Sequence, residues 1–229
     1  MPRKKAEPFH PPGKLKPNPD RLSAVPLMKL VKSTATGEPY QPVQALKDQA
    51  PGPYHGTQAE PNKWMVMACE EAKKSVEEGG GPFGAVLLQV GDETGTVKRF
   101  WRDHNRVTEH SDPTAHAEIM VISAACRELG TCGLGSIADG SEPSHCELYS
   151  SCEPCPMCYG AIVWARIPVL VFSATRADAS DPEVGFSDEH IHSELKKDYR
   201  DRSVRVYHAA CGNAKDAFEL WKRSGNKRY

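Results

Sequence analysis

Residues 111–119 read SDPTAHAEI and residues 150–166 read SSCEPCPMCYGAIVWAR, and each of these two stretches leads into a predicted helix. In each of them a proline stands where a helix can begin and an apolar run follows, which predicts a helix N-terminus. Backbone amides and the helix dipole favour anions at such an end. Thiolates at Cys155 and Cys158 would therefore be stabilised at the start of the second helix.

Further helix and strand signals surround these two stretches. Apolar runs of strand length alternate with helical patterns, which predicts an α/β fold, a three-layer α/β/α sandwich around one sheet. The predicted helices cover 62–76 (with Asn62 as the cap), 112–129, 155–164, 189–197 and 214–224, and the predicted strands cover 83–90, 97–102, 147–150, 169–174 and 204–208.

The composition is that of one globular domain, with 39% hydrophobic and 26% charged residues in a chain of 229. No run of about 18 apolar residues occurs, so we expect no membrane-spanning helix. The 29 basic and 30 acidic residues give a formal charge of -1, which offers no general attraction to nucleic acid or to an anionic membrane.

Cysteine usage indicates the compartment. Three of the eight cysteines lie in CEPCPMC (152–158), and the start MPRKKAEPFHPPGK lacks the apolar core of a secretory signal. Clustered cysteines in such a chain are more often metal ligands than disulfide partners. We therefore expect a cytoplasmic protein, with a nuclear address at Arg3–Lys5 as the other option.

Residues 1–62 differ from the rest of the chain. They hold twelve of the nineteen prolines, and their nine basic and five acidic residues give this segment a net charge of about +4. Proline-rich polar sequence buries too little apolar area to offset its ordering entropy. We predict a mostly disordered or extended arm over 1–62 and a catalytic domain over 63–229.

His116, Cys155 and Cys158 form a Cys2His set of zinc ligands, which leaves the fourth position of a catalytic zinc site for water. Zinc lowers the pKa of such a water to about 7, and Glu118 stands two residues after His116, where it can take the proton. Positions i and i+2 diverge by about 200° in a helix, so both residues must lie in its first turn. The order H-x-E then P-C-x-x-C matches the signature of zinc-dependent base deaminases.

Two other metal sites share part of this pattern. Cys152 could complete a closed Cys3His structural zinc site. The CxxCxxC run also occurs in iron–sulfur proteins, but there it usually continues with a fourth cysteine and a proline, whereas Tyr159 follows here. We favour catalytic zinc over both alternatives, and the helix-start signals in both stretches argue against a chance match.

From about residue 62 to 229, the chain resembles the guanine deaminases of the cytidine-deaminase fold. Besides the two stretches above, the resemblance rests on GGGPFGAVLL (79–88), HNRV (104–107), DPEVGFSD (181–188) and LWKRSGNKRY (220–229). It implies a five-stranded sheet flanked by helices, one zinc ion per subunit, and a homodimer that exchanges its C-terminal segment. The arm and the Gly/Ser-rich stretch 131–146 depart from the family pattern.

The same resemblance implies a set of residues around a purine. Asn105 and Asp188 would hydrogen-bond the base, and Asp188 would also help to move protons. Tyr229 would close the pocket. The remaining contacts would come from the side chains of Phe83 and Trp164 and from the backbone of Ala85 and Ala117.

Each of these residues also has a purely structural interpretation. Asn105 could serve a turn, and Asp188 could cap the next helix. Phe83 and Trp164 could belong to the core, and Tyr229 could be a frayed terminus.

The predicted function is hydrolytic deamination of guanine to xanthine and ammonia in purine catabolism or salvage. A guanosine deaminase is a near alternative, because the sequence does not give the depth of the pocket. A tRNA adenosine deaminase would need a basic surface, whereas residues 63–229 hold 20 basic and 25 acidic residues. The non-enzyme alternative is a zinc-containing scaffold protein.

Overall fold

The computed structural model describes residues 31–138, 140 and 142–225. Residues 1–30 of the predicted arm, and Tyr229, lie outside these residues. Within the described residues, no helix has the length and apolarity that a bilayer span requires.

Strands and helices alternate along the described chain. The strands are β1 (Thr34–Pro39), β2 (Gly84–Gly91), β3 (Thr96–His104), β4 (Ser144–Cys152) and β5 (Val169–Ala174). The helices are α1 (Lys63–Glu77), α2 (Val107–His110), α3 (Ala117–Leu129), α4 (Pro156–Trp164), α5 (Arg176–Ala179), α6 (Glu189–Lys196) and α7 (Asp216–Ser224), with a 3-10 turn at Tyr199–Asp201.

The five strands form one mixed sheet in the order β1-β3-β2-β4-β5. β4 and β5 are parallel, and the other neighbouring strands are antiparallel. α4 connects the parallel pair, as a parallel connection requires a crossover segment. The pairing brings the start of β2 next to the ends of β3 and β4, at one end of these three strands.

Both faces of the sheet are covered, which explains why all eight residues of β2 are buried. Leu87 packs with α3 residues such as Val121 on one face. Val86 and Leu88 point to the other face, where they pack against α1 at Trp64. This arrangement confirms the three-layer α/β/α architecture and the five-stranded sheet.

α1 begins where the sequence predicts. The Asn62 side chain accepts hydrogen bonds from the backbone amides of Trp64 at 3.0 Å and Met65 at 3.1 Å, which satisfies two of the free amides of the first turn.

The start of α3 differs from the prediction, because the helix begins at Ala117 and not at Asp112–Pro113. The Asp112 side chain instead accepts hydrogen bonds from the amide and hydroxyl of Thr114, at 2.8 and 2.7 Å. These local bonds hold a turn, since aspartate can compete with the helix for backbone amides. His116 is still extended, with ψ 154°, and is the cap residue of α3.

The predicted arm boundary at residue 62 also differs from the structure. β1, which lies inside the predicted arm, pairs antiparallel with β3 at the edge of the sheet. The hydroxyl of Tyr40, directly after β1, hydrogen-bonds the Glu147 carboxylate on β4. His145 also contacts Glu147, at 3.2 Å, and its other ring nitrogen lies 2.5 Å from Asp92.

The strand predicted over 204–208 is absent, because this segment pairs with no described strand. Its apolar side chains at Val204, Val206 and Tyr207 are exposed. An alternating apolar pattern becomes a strand only where a sheet edge takes up its hydrogen bonds.

Candidate metal centre and active site

Three metal-ligating side chains meet where α3 and α4 begin. His116 is the cap residue of α3, Cys155 is the cap residue of α4, and Cys158 lies in the first turn of α4. Pro156 at the first helical position favours the helix start directly after Cys155. The helix starts thus bring together residues that are about forty positions apart in sequence.

The spacing of the three ligand atoms fits zinc. The Nδ1 atom of His116 lies 3.6 Å from the Cys155 sulfur and 3.5 Å from the Cys158 sulfur. Ligands held at about 2.1 Å (nitrogen) and about 2.3 Å (sulfur) from a tetrahedral ion lie about 3.6 Å from each other. In the described chain, the group of ligand atoms within 4.8 Å of one another consists of these three residues. That composition matches an open catalytic site and not a closed Cys3His site.

The electrostatics of the cluster favour a thiolate at Cys155. A hydrogen bond from the Cys158 thiol and the neighbouring His116 ring outweigh the effect of burial and lower the pKa of Cys155 to about 4. The bond with Cys155 in turn raises the pKa of His116. A cation is therefore well accommodated between these groups.

Cys152 does not join the cluster. Its sulfur contacts the carbonyl oxygen of Thr175 at 3.6 Å, and burial raises its pKa to about 11. It is a neutral, packed thiol beside the site.

Glu118 lies in the first turn of α3, as its spacing from His116 requires, and only 6% of it is exposed. One carboxylate oxygen accepts a hydrogen bond from the Ser150 hydroxyl at 3.0 Å, and the other lies 3.3 Å from the Cys158 sulfur. Burial raises the pKa of Glu118. Ser150 was not predicted as a site residue, because a serine inside a strand carries no distinctive sequence signal.

A cavity of about 610 Å³ opens beside the cluster. Of the predicted site residues, it is bordered by His116, Cys155, Glu118, Phe83, Asn105 and Asp188. The structure thus brings six of the eleven predicted side chains to one cavity.

Asn105 serves a turn and also lies at the cavity. It borders the cavity, and its side-chain oxygen accepts a hydrogen bond from the Val107 amide at 3.2 Å, which shapes the turn into α2. Its own backbone amide donates to the carbonyl oxygen of Phe83 at 2.9 Å. The loop that carries Asn105 is therefore tied to the start of β2.

Four of the predicted residues do not border the cavity, namely Trp164, Ala85, Ala117 and Cys158, and Tyr229 is not described. Trp164 is 72% exposed at the far end of α4, and nine residues of helix separate it from Cys155 by about 13 Å. The prediction that its side chain lines the cavity therefore differs from the structure. Ala85 and Ala117 are buried in the core behind the cavity, and Tyr229 and its role lie outside the described residues. Cys158 is buried behind the other two ligands.

The cavity also has borders that were not predicted. The Phe186 ring meets the Phe83 ring edge to face, with centroids 5.2 Å apart. Gly80 also borders the cavity, and a Cβ at this position would lie 2.6 Å from the Ser75 hydroxyl. Arg176 and Glu153 border the cavity as well. Phe186, Gly80 and Glu153 lie inside the quoted stretches GFSD, GGGPFGAVLL and SSCEPCPMCYGAIVWAR, whereas Arg176 lies in none of them.

Comparison with known proteins agrees with this site. The cytidine and deoxycytidylate deaminase zinc-binding region matches residues 58–174, which include the metal cluster and Glu118 and end before Asp188. Guanine deaminase from Bacillus subtilis (strain 168) is 37% identical over 164 residues, or 72% of this chain and 92% of that protein. Its X-ray structure aligns with a TM-score of 0.62 and covers 74% of this chain and 99% of that chain. A tRNA-specific adenosine deaminase from Aquifex aeolicus is 40% identical over 111 residues, or 48% of this chain and 64% of that protein.

Proposed function

The chain belongs to the zinc-binding cytidine and deoxycytidylate deaminase family, and we propose that it hydrolyses guanine to xanthine and ammonia. The observation that carries the proposal is one cavity bordered by His116 and Cys155 of the His/Cys/Cys cluster, by the buried Glu118 and by Asp188. The relation to guanine deaminase over 72% of the chain favours guanine as the base.

His116, Cys155 and Cys158 would hold one zinc ion per subunit. When bound, zinc makes a water molecule acidic enough to lose a proton near neutral pH.

Glu118 is suited to move protons between water and substrate. Its carboxylate borders the cavity, and it is not one of the three clustered ligands. It would accept one proton from the attacking water and deliver it to the purine ring nitrogen, and would then pass the second proton of that water to the amino group, which leaves as ammonia. The hydrogen bond from Ser150 keeps one carboxylate oxygen in place during these transfers.

The other cavity residues are suited to a flat, polar-edged base. The rings of Phe83 and Phe186 offer an apolar wall, and Asn105 and Asp188 offer hydrogen-bonding groups for the edge of the base. Tyr229 would close the pocket, as the resemblance to guanine deaminases implies.

We further propose a homodimer that exchanges its C-terminal segment. Support comes from apolar side chains that the single chain leaves exposed, on α7 at Phe218, Leu220 and Trp221 and on α4 at Val163 and Trp164. Apolar exposure of this kind is typical of a surface that another chain covers. Light scattering after gel filtration would reveal a mass of twice the chain.

Cellular context belongs to the same proposal. All eight cysteines are free, which agrees with a reducing compartment such as the cytoplasm. The reaction would serve purine breakdown or salvage.

Guanosine is the second candidate substrate, because a cavity of about 610 Å³ has room for more than a purine base. The tRNA alternative has less support, since the relative of that type aligns with 48% of this chain.

The test is ammonia release from guanine, guanosine, adenine, cytosine and cytidine by zinc-loaded protein. We expect turnover of guanine and little from the other four. Turnover of guanosine and not of guanine would identify the nucleoside as the substrate and would leave the proposed zinc-dependent deamination unchanged. Absence of ammonia from all five, with zinc bound, would contradict the proposal.

A further inference from the structure

Asp188 stands at the start of α6, yet its carboxylate does not cap that helix. An aspartate in the cap position usually accepts hydrogen bonds from the amides two or three residues later. Here the Asp188 side chain makes no such bond to the described backbone of α6. The carboxylate instead borders the substrate cavity, with 16% of the side chain exposed.

The Asp188 carboxylate contacts the ring of His192. The Nε2 atom of the ring lies 3.3 Å from the Oδ2 atom of Asp188. The two residues are four positions apart, so their side chains lie on the same face of α6. His192 is not part of the cavity wall, and 33% of its side chain is exposed to solvent.

We propose that His192 is a positioning residue for deamination, which donates a hydrogen bond from Nε2 to Asp188 and keeps that carboxylate turned into the cavity. The inference rests on the proposed function. Of the first three amides of α6, that of Glu189 donates to the Ser187 hydroxyl at 3.4 Å and that of Ile191 to the Asp188 carbonyl oxygen at 2.9 Å, so among the described residues the His190 amide is the one left to compete for the carboxylate. Without His192, Asp188 would turn back to cap the helix and its oxygen atoms would leave the position that faces the substrate.

This competition gives the proposal an unusual signature. In the variant His192→Leu the helix gains a cap while the cavity loses its carboxylate, so activity falls and thermal stability does not. An ordinary surface pair would behave in the opposite way. Its loss would lower the melting temperature slightly and leave turnover unchanged.

The experiment compares three variants of the zinc-loaded full chain, with guanine as the substrate. In His192→Leu we expect kcat/KM to fall about tenfold, the scale of one hydrogen bond to a charged group. His192→Gln can still offer an N–H donor, so we expect it to stay within about threefold of the original chain. His190→Leu is the matched control, because its ring contacts the Ser203 hydroxyl at 3.5 Å and not Asp188, and its kcat/KM should be unchanged.

A double-mutant cycle with Asp188→Asn separates positioning from a general structural effect. If His192 acts through Asp188, His192→Leu has almost no further effect once Asp188 has been replaced. A direct readout of the contact is the ring-proton NMR resonance of His192, which should shift in Asp188→Asn while that of His190 does not.

Any of three results would overturn the inference. The losses in the double-mutant cycle could be additive, His192→Leu and His190→Leu could have equal kcat/KM, or the His192 resonance could stay unshifted in Asp188→Asn. If the unmodified chain deaminates guanine and His192→Leu has the same kcat/KM, this inference is overturned and the proposed function stands. An unmodified chain that releases no ammonia from any substrate overturns the proposed function and the inference with it.

Discussion

Replacement of Glu118 by glutamine tests the proposed proton transfer with little change of shape. Glutamine has almost the same volume, and its side-chain oxygen can accept the hydrogen bond that the Ser150 hydroxyl now donates to Glu118. The three clustered metal ligands are untouched. The substitution therefore removes the group that accepts and returns the proton, while the surrounding contacts remain.

The expected loss follows from the role of this group. General acid–base catalysis contributes about 10²- to 10⁴-fold, which corresponds to about 2.7 to 5.5 kcal/mol of transition-state stabilisation. We expect kcat for ammonia release to fall by at least about 100-fold. The melting temperature should not fall, because burial disfavours the charged carboxylate of Glu118 and glutamine carries no charge.

The assay combines kcat for ammonia release, zinc content by elemental analysis, and thermal unfolding. Glu147→Gln is the matched control: Glu147 is an equally buried glutamate on the same strand as Ser150, but it contacts Tyr40 and His145 and does not border the cavity. This control should lose stability and keep its kcat within about twofold. A Glu118→Gln protein that binds zinc and retains kcat within about tenfold would refute the proposed proton transfer.

Three further expectations follow from individual contacts. Cys155→Ser should bind less zinc and release less ammonia, as measured by elemental analysis and the ammonia assay. Cys69→Ser changes an exposed thiol outside the cluster and should keep both zinc and activity. Gly84→Ala should cost about 1–3 kcal/mol in urea unfolding, because its Cβ would lie 2.4 Å from backbone atoms of α1, while Gly160→Ala meets nothing within 4 Å and should stabilise α4 by about 0.5–1 kcal/mol. Burial opposes protonation of His145, but its contacts with the carboxylates of Asp92 and Glu147 outweigh burial and raise the pKa of His145. The protonated ring therefore stabilises the fold fully below the unfolded pKa of about 6.5, and this stabilisation is lost as the pH rises through the folded pKa. The drop in melting temperature caused by His145→Gln should therefore be larger at about pH 6 than at about pH 9, and an equal drop at both would contradict this account.

Signals that act within one helical turn were readable from the sequence. Asn62 caps α1 as predicted, since the cap needs only the amides of the next residues. Pro156 and the spacing of Cys155 and Cys158 locate one end of the metal cluster for the same reason. The His116–Glu118 spacing requires a helix start, and the structure has one.

Signals that depend on distant partners were misread. The pattern over 204–208 suits a strand, but no described sheet edge takes up its hydrogen bonds. β1 lies in a proline-rich segment whose composition predicts an arm, yet the edge of β3 was available to pair with it. Trp164 belongs to the correct helix, but the length of α4 carries it away from the cavity.

The α/β class and the grouping of His116, Cys155 and Cys158 with Glu118 could be predicted from the sequence, because each depends on residue type and on spacing within a turn or a strand. The tertiary structure was needed to show which loops border the cavity, that the Ser150 hydroxyl hydrogen-bonds Glu118, and that the Asp188 carboxylate borders the cavity beside His192 without capping α6. The reason is that these contacts join residues that are separated in sequence, or depend on which of two competing partners a side chain reaches. Neither the packing nor the outcome of that competition is encoded in local periodicity.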